Sequence, residues 1–261
     1  MILLSFDIEE FDMPFEYHKE ISFKDQMDIS IAGTEAILDI LEGYQVKATF
    51  FSTVIFAQNA PATIQRILDQ GHELASHGYY HSDFKVEHLL SSRLELEKII
   101  QAPVIGYRMA RMQPTDDLDI QNAGYEYNSS INPTWLPGRY NNLHLPRTHF
   151  KTDKVLQIPA SVTPLIRFPL FWLSFHNLPL WLYTAMARWT IKTDGYLNVY
   201  FHPWEFTDLD DPERFGFPGY VRKNTGVKMI SRMDQFIHKL KQKNAEFVTI
   251  ASFVKRVSKP I

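Results

Sequence analysis

Short runs of β-forming residues alternate with stretches of helical periodicity along most of this chain. The strand-like runs cover 2–6, 48–54, 73–76, 104–108 and 196–201, with a last one at 247–250. Helical patterns lie between them at 29–44, 61–70, 87–100 and 227–242, and one more ends near 120–124. This alternation predicts an α/β fold of parallel strands covered by helices, with any active site at the carboxyl ends of the strands.

Polar side chains follow four of these predicted strands directly. They are Asp7, His77, Arg108 and His202. Because the carboxyl ends of parallel strands meet at one face, we expect these four residues to lie close together. The ordinary alternatives are a turn cap for Asp7, an ion pair for Arg108 and a core histidine for His202.

His77 and His81 are spaced i and i+4, and we predict that they share one face of a helical turn and reach a single ion. Asp7, Glu9, Glu10 and Asp12 form a cluster of carboxylates, which repel one another unless a cation or an arginine offsets them. A third, oxygen ligand and a general base can come from this cluster, and His202 can serve as a general acid. These are the components of a metal-assisted hydrolase.

Composition excludes several other classes. The formal charge of −3 and the absence of Lys/Arg-rich runs give no support for nucleic-acid binding. With no cysteine, only His, Asp or Glu could hold a metal. The start of the chain, 1–7, turns acidic too soon for a signal peptide, and no apolar run reaches about 18 residues. We therefore expect a cytoplasmic protein.

Five motifs, taken together and in order, resemble the polysaccharide deacetylases of the NodB-homology type (carbohydrate esterase family 4), in the branch found with exopolysaccharide gene clusters. They are spread over residues 1 to about 206, which is most of the chain, and read Phe6-Asp7-Ile8-Glu9-Glu10, Ala48-Thr49-Phe50-Phe51, Gly71-His72-Glu73-Leu74-Ala75-Ser76-His77-Gly78-Tyr79-Tyr80-His81, Gly106-Tyr107-Arg108-Met109-Ala110 and His202-Pro203-Trp204-Glu205.

The resemblance implies a distorted (β/α) barrel of about seven parallel strands, formed by 1–261 as a single domain. It also implies removal of N-acetyl groups from a bacterial polysaccharide or its N-acetyl-sugar precursor, with one divalent metal, often zinc. Carried over by position, Asp7 is the general base, His77 and His81 are metal ligands, Arg108 orients the base and His202 is the general acid.

The chain departs from the family pattern at three places. Ile8 stands where many members have a ligand aspartate, so we expect Glu9 to replace it, on the same side of the strand end as Asp7. Met109-Ala110 lacks the proline that follows this arginine in relatives. Residues 171–176 replace a glycine-rich loop of this branch, so the substrate groove is expected to differ in shape.

These departures keep two alternatives open. One is a barrel that has lost activity and binds a glycan or organises a biosynthetic complex. The other is an amidase of a small non-sugar substrate, as in allantoinase-like and imidase-like relatives.

Aromatic residues are frequent near the motifs and in a predicted insertion at about 164–190. We expect Trp135, Tyr140 and Trp204 to line a sugar groove, and a backbone N–H near Tyr107 or Arg108 to contact the substrate. The rings of 168–189 either pack over the barrel, stack on sugars, or contact a membrane surface near a lipid-linked glycan. The remaining histidines, His176 among them, are interpreted mostly as surface residues.

Overall fold

The computed structural model describes residues 1–258. Its strands are β1 (Ile2–Ile8), β2 (Thr49–Ser52), β3 (Glu73–Ser76), β4 (Gly106–Tyr107), β5 (Tyr127–Asn128), β6 (Trp135–Leu136), β7 (Tyr140–Asn141), β8 (Phe150–Lys151), β9 (Leu156–Gln157) and β10 (Leu197–Phe201).

The helices are α1 (Phe23–Tyr44), α2 (Val54–Asn59), α3 (Pro61–Asp69), α4 (Glu87–Ile100), α5 (Asp117–Asn122), α6 (Trp172–Asn177), α7 (Leu180–Asp194), α8 (Pro212–Phe215), α9 (Gly219–Arg222), α10 (Val227–Lys241) and α11 (Ile250–Val257). Three short 3₁₀ turns span Met13–Tyr17, Ala110–Met112 and Pro203–Phe206. Within 1–258, no helix combines the length and apolar character needed to cross a membrane.

One sheet of eight strands forms the framework, in the order β10, β1, β2, β3, β4, β5, β9, β8. The first seven run parallel and β8 lies antiparallel at the edge. The α/β prediction and the distorted barrel of about seven parallel strands are thus confirmed. A separate hairpin pairs β6 with β7.

The sheet curls until the segment after β9 contacts β10. The Ser161 amide donates to the Asn198 carbonyl (2.7 Å), and the Asn198 side-chain amide donates to the carbonyls of Ile158 and Pro159 (3.2 and 3.1 Å). These bonds join the two sides where regular strand pairing is absent, so Asn198 closes the barrel wall.

Side-chain parity along β1 decides what faces the barrel interior. Phe6 and Ile8 pack in the large core between sheet and helices. Leu3 points to the other face, in a core that includes Phe51 and Phe253 of α11. Because successive strand residues alternate in direction, Asp7 falls on the interior face with Leu3.

Helix α1 packs directly on the turn Pro203–Phe206. A Cβ atom on Gly33 would lie 1.9 Å from the Pro203 carbonyl oxygen, so only glycine permits this approach.

The segment 77–81 differs from its prediction, because it is a loop and not a helical turn. Gly78 has φ +95°, which a helix cannot contain. The carbonyls of Gly78 and Tyr79 accept hydrogen bonds from Val54 and Ile55 at the start of α2 (3.1 and 3.3 Å). The backbone bonds that a helix would keep within the segment therefore go to a neighbouring helix end.

The other elements differ from their predicted bounds mainly at their ends. The predicted strand 104–108 is regular only over Gly106–Tyr107, and 247–250 contributes a single bridge between Phe247 and Ile2. Helix α1 begins earlier than its apolar pattern, because the Ser22 hydroxyl accepts from the Asp25 amide and caps it. The aromatic segment folds as α6 and α7.

Candidate metal centre and the flanking acid and base

The four residues that follow strands do lie together. Asp7 on β1 and His77 after β3 line one pocket with His202 after β10, and Arg108 after β4 lies buried directly behind Asp7. Glu9 and His81 complete the polar floor of this pocket. The β/α alternation therefore predicted the assembly of this site, although not its loops.

Glu9, His77 and His81 converge on one point. Glu9 Oε2 lies 3.0 Å from His77 Nε2 and 3.2 Å from His81 Nε2. One ligand atom from each residue lies within 4.8 Å of the others, and this is the group of His, Asp and Glu residues within 1–258 that could hold a metal ion. Ile8 takes no part, since its side chain packs in the helix-facing core.

Hydrogen bonds on the far side of each imidazole fix its proton. His77 Nδ1 lies 2.9 Å from the Arg108 carbonyl oxygen, and His81 Nδ1 lies 2.7 Å from Asp12 Oδ1. Both partners only accept, so each Nδ1 carries a hydrogen and each Nε2 is left to face Glu9. Backing of this kind orients histidines that bind metals.

The donor set fits a divalent cation. Glu9 Oε2 is buried without a hydrogen-bond partner, which is costly unless a positive charge is close. Although burial lowers the pKa of His81, the charges of Glu9 and Asp12 outweigh it and raise that pKa to about 9. The centre thus demands a positive charge, which either a second proton on His81 or a metal ion would supply.

Asp7 is held as a carboxylate by Arg108. Arg108 Nη1 donates to Asp7 Oδ1 (2.6 Å), and its other nitrogens donate to the carbonyl and hydroxyl oxygens of Ser129 (both 3.0 Å). Burial alone would raise the pKa of Asp7, but the charges of Arg108, His77 and His202 hold it below its usual value. Its second oxygen, Oδ2, lies 4.0 Å from His202 Nε2. Asp7 is therefore ionised and directed into the pocket.

His202 is backed by Glu205 of the same turn. Glu205 Oε1 accepts from the His202 backbone amide (2.7 Å) and lies 3.0 Å from His202 Nδ1. Burial would lower the pKa of His202, yet this hydrogen bond, with the charges of Glu9, Glu205 and Asp7, raises it. The His202 ring is thus more basic than a free imidazole, and its Nε2 faces the pocket.

Only some of the residues predicted to contact the substrate line the pocket. Trp204 and Tyr140 line the pocket, and Trp204 stacks on the His202 ring (centroids 5.2 Å apart, 17° between planes). Trp135 lies outside the pocket wall on the β6–β7 hairpin and is 59 % exposed. The prediction that Tyr107 contacts the substrate is wrong. Its side chain points opposite to that of Arg108, so its ring packs in the helix-facing core and its hydroxyl donates to Met109 Sδ (3.0 Å).

The Arg108 amide is also engaged, donating to the Ser76 carbonyl (2.9 Å), so it is not free for a substrate oxygen.

Sequence reasoning missed the residues that support the site. Arg111 contacts Glu16 (2.8 Å) and Asp12 (3.6 Å), and both Arg111 and Met112 adopt positive φ. Glu205 lies within the motif that begins at His202, and Asp12 lies within the acidic cluster after β1, so the sequence did indicate that both are near the site. His176, expected at the surface, is fully buried against Glu205.

Residues 20–128 match the family model described as polysaccharide deacetylase. Over these residues the chain is similar to polysaccharide deacetylases. Among curated relatives, the peptidoglycan-N-acetylmuramic acid deacetylase PdaA of Bacillus subtilis is 32 % identical over 66 residues, which is 25 % of this chain and 25 % of that protein. The match thus spans about a quarter of that relative's length.

Solved structures share the fold of this chain over nearly its full length. PuuE allantoinase superposes with a TM-score of 0.69 at 13 % identity, covering 100 % of this chain and 91 % of that one. The Xyl-CE4 domain of a multidomain xylanase, from the hindgut metagenome of Trinervitermes trinervoides, gives 0.55 at 18 % identity, covering 99 % and 91 %. At these identities the likeness concerns the fold alone.

Proposed function

We propose that this protein is a polysaccharide deacetylase, a metal-dependent hydrolase that removes N-acetyl groups from an N-acetylated glycan, either a bacterial polysaccharide or its precursor. The observation that carries the proposal is the convergence of Glu9, His77 and His81 beside an ionised Asp7 and a protonated His202. The relative named a peptidoglycan deacetylase supports the substrate class.

Glu9, His77 and His81 would hold the metal, and zinc suits two imidazoles and a carboxylate. A divalent cation bound there supplies Lewis-acid polarisation of the acetamide carbonyl. Asp7 accepts a proton from the attacking water, because Arg108 keeps it ionised and fixed in direction. A C–O bond forms as the C–N bond breaks, and His202 Nε2 gives its proton to the departing sugar amine. Acetate and a free amine result.

The alternative of an inactive barrel depended on Ile8, Met109 and Ala110. Ile8 faces the helical layer and Glu9 offers the carboxylate, so the donor set is complete without an aspartate at position 8. The loop at Met109-Ala110 still delivers Arg108 to Asp7. Both features favour an active enzyme over a binding protein.

Metal content and acetate release together test this proposal. The wild type should contain about one equivalent of divalent metal and release acetate from N-acetylglucosamine oligomers or peptidoglycan fragments. The double variant His77→Ala/His81→Ala should contain none and release none, whereas Asp7→Asn should keep the metal and lose activity. His238→Ala, which changes an exposed histidine on α10 outside the pocket, is the matched control. A wild type that binds no metal after zinc addition would contradict the proposal and leave glycan binding as the function to test.

We also propose that the protein is cytoplasmic and peripheral to a membrane. Helix α7 exposes Trp181 and Trp189, 69 % and 41 % accessible, beside the cation of Arg188. Exposed tryptophan with neighbouring basic residues suits the interface of an anionic bilayer. Such contact would bring the site near a lipid-linked glycan.

A further inference from the structure

A buried chain of polar side chains extends behind His202, away from the pocket. His202 Nδ1 lies 3.0 Å from Glu205 Oε1, and Glu205 Oε2 lies 2.7 Å from His176 Nε2. Glu205 and His176 are both fully buried. None of the steps proposed above uses His176.

The two hydrogen-bond partners of His176 bear on its protonation. Its Nδ1 lies 3.1 Å from the Lys223 carbonyl oxygen, while its Nε2 faces the Glu205 carboxylate. The carbonyl oxygen only accepts, and so does Glu205 when ionised, so an ionised Glu205 requires hydrogen on both ring nitrogens. A flipped ring would place carbon atoms against the same two acceptors and lose both bonds. An imidazolium at His176 beside an ionised Glu205 satisfies both contacts, and its charge would balance that of the carboxylate.

Glu205 is ionised in this arrangement. Its burial would raise its pKa, but hydrogen bonds and charge from His176 and His202 lower it below the usual value. One carboxylate thus binds a histidine on each side, with one oxygen toward each.

The aromatic segment is built to hold His176 in this place. Asn224 donates to the His176 carbonyl (2.5 Å), and Arg232 of α10 donates to the carbonyls of Phe175 and Leu178 (2.6 and 2.8 Å). The Trp172 ring meets both His176 and His202 edge-on, with centroids 5.8 and 5.7 Å away. Helix α6 therefore brings a cation to the rear of the residue proposed as the general acid.

We propose that His176 is a positioning residue for His202, acting through Glu205. This inference rests on the proposed function, in which His202 donates the proton to the leaving amine. His176 holds the carboxylate, the carboxylate fixes the His202 ring with its hydrogen on Nδ1, and Nε2 is left to face the pocket. The positive charge also prevents Glu205 from binding the His202 proton too firmly for release.

Charged and titratable groups from several elements face the hydrogen-bonded series of His202, Glu205 and His176. Asp7 and Glu9, from the end of β1, act on His202. Tyr183 of α7 lies near Glu205, and its phenol stays neutral because burial raises its pKa. Lys223 and Arg232 meet α6 through the Lys223 carbonyl and the carbonyls that Arg232 binds. When the His176 charge is removed, the altered basicity of Glu205 is therefore the dominant effect on the pKa of His202.

Two substitutions should shift the His202 proton in opposite directions. His176→Gln keeps an N–H toward Glu205 but removes the charge, so the alkaline limb of kcat/KM should move up by about half to one pH unit. Glu205→Gln removes the anion and should move the same limb down. A role limited to packing would lower stability or kcat without moving the limb.

Nitrogen-15 NMR of the imidazoles, on the zinc-loaded protein, tests the inference without relying on turnover. The wild type should show His176 protonated on both nitrogens from pH 6 to 8, and the His202 midpoint should rise in His176→Gln. A singly protonated His176 in the wild type overturns the proposal even if the variants fail to fold. An unmoved His202 midpoint overturns it as well. Absence of acetate release, in contrast, would count against the deacetylase function while the spectra still decide the role of His176.

Discussion

Replacement of Arg108 by methionine tests whether the Asp7–Arg108 pair is essential to the barrel interior as well as to the proposed base. Arg108 is fully buried, and Asp7 is 3 % exposed. Arg108→Met keeps much of the side-chain volume over the Phe51 ring, which the guanidinium carbon covers at 4.0 Å. It leaves the Asp7 carboxylate buried without its cation.

The expected loss is about 3–5 kcal/mol of unfolding free energy, the range for removing one partner of a buried ion pair. The reason is the uncompensated charge, so the same change should cost clearly less when Asp7 is already Asn. A double-mutant cycle should therefore give a coupling of about 2 kcal/mol or more between the two sites. This coupling isolates the pair from the hydrogen bonds that Arg108 also gives to Ser129.

Urea unfolding at pH 7 of the wild type, both single variants and the double variant measures the cycle. All samples contain a chelator, because metal bound to the folded state would add its own stabilisation. Arg256→Met, which breaks the exposed pair with Glu246, is the matched control and should hardly move the urea midpoint. A cost of Arg108→Met below about 1 kcal/mol, or one unchanged in the Asp7→Asn background, would refute this account of the pair.

Three further outcomes are expected. Glu9→Gln should abolish the rise in thermal midpoint that zinc gives the wild type, a stabilisation of about 2.7 kcal/mol when zinc is at 100 times its dissociation constant; an equal rise in the variant would remove Glu9 from the ligand set. His72 is buried and accepts from the Ala48 amide, and burial lowers its pKa to about 4. Since the unfolded chain protonates near pH 6.5 and the folded one only near 4, about 3 kcal/mol of stability should be lost as pH falls through that window; His72→Gln should flatten this loss in urea titrations, and an identical pH profile would contradict it. Trp181→Ser/Trp189→Ser should weaken cosedimentation with phosphatidylglycerol vesicles relative to Val227→Ser, a control at an exposed apolar residue of α10; equal binding by both variants would dismiss α7 as the contact face.

The sequence allowed prediction of the sheet and of the residues that gather at its carboxyl edge, for a simple reason. Strand residues alternate in direction, and parallel strands end on one side, so Asp7, His77, Arg108 and His202 could be assigned to one face without coordinates. Spacing alone could not give the conformation between His77 and His81. An i, i+4 interval fits a helix, but Gly78 and the amides of α2 direct the backbone into a loop.

Contacts between distant segments account for most of what remained unpredicted. His176 lies 29 residues before Glu205, and nothing in its local sequence distinguishes a buried imidazolium from a surface histidine. Tyr107 was placed in the site because it neighbours Arg108, yet adjacent strand residues face opposite sides. Such errors arise where tertiary packing, and not local pattern, fixes a side chain.

Gly33 lies on helix α1, outside the barrel, and yet its contact with Pro203 affects the position of residues proposed to be catalytic. A methyl group there would have to move at least 1.1 Å (3.0 − 1.9) from the Pro203 carbonyl to reach the closest spacing that side chains tolerate. Proton transfer needs its groups held within about 0.5 Å. The turn that carries His202 and Glu205 thus has its position set by a helix that no substrate touches. An alanine at position 33 would therefore disturb the candidate site, although it adds only one carbon to helix α1.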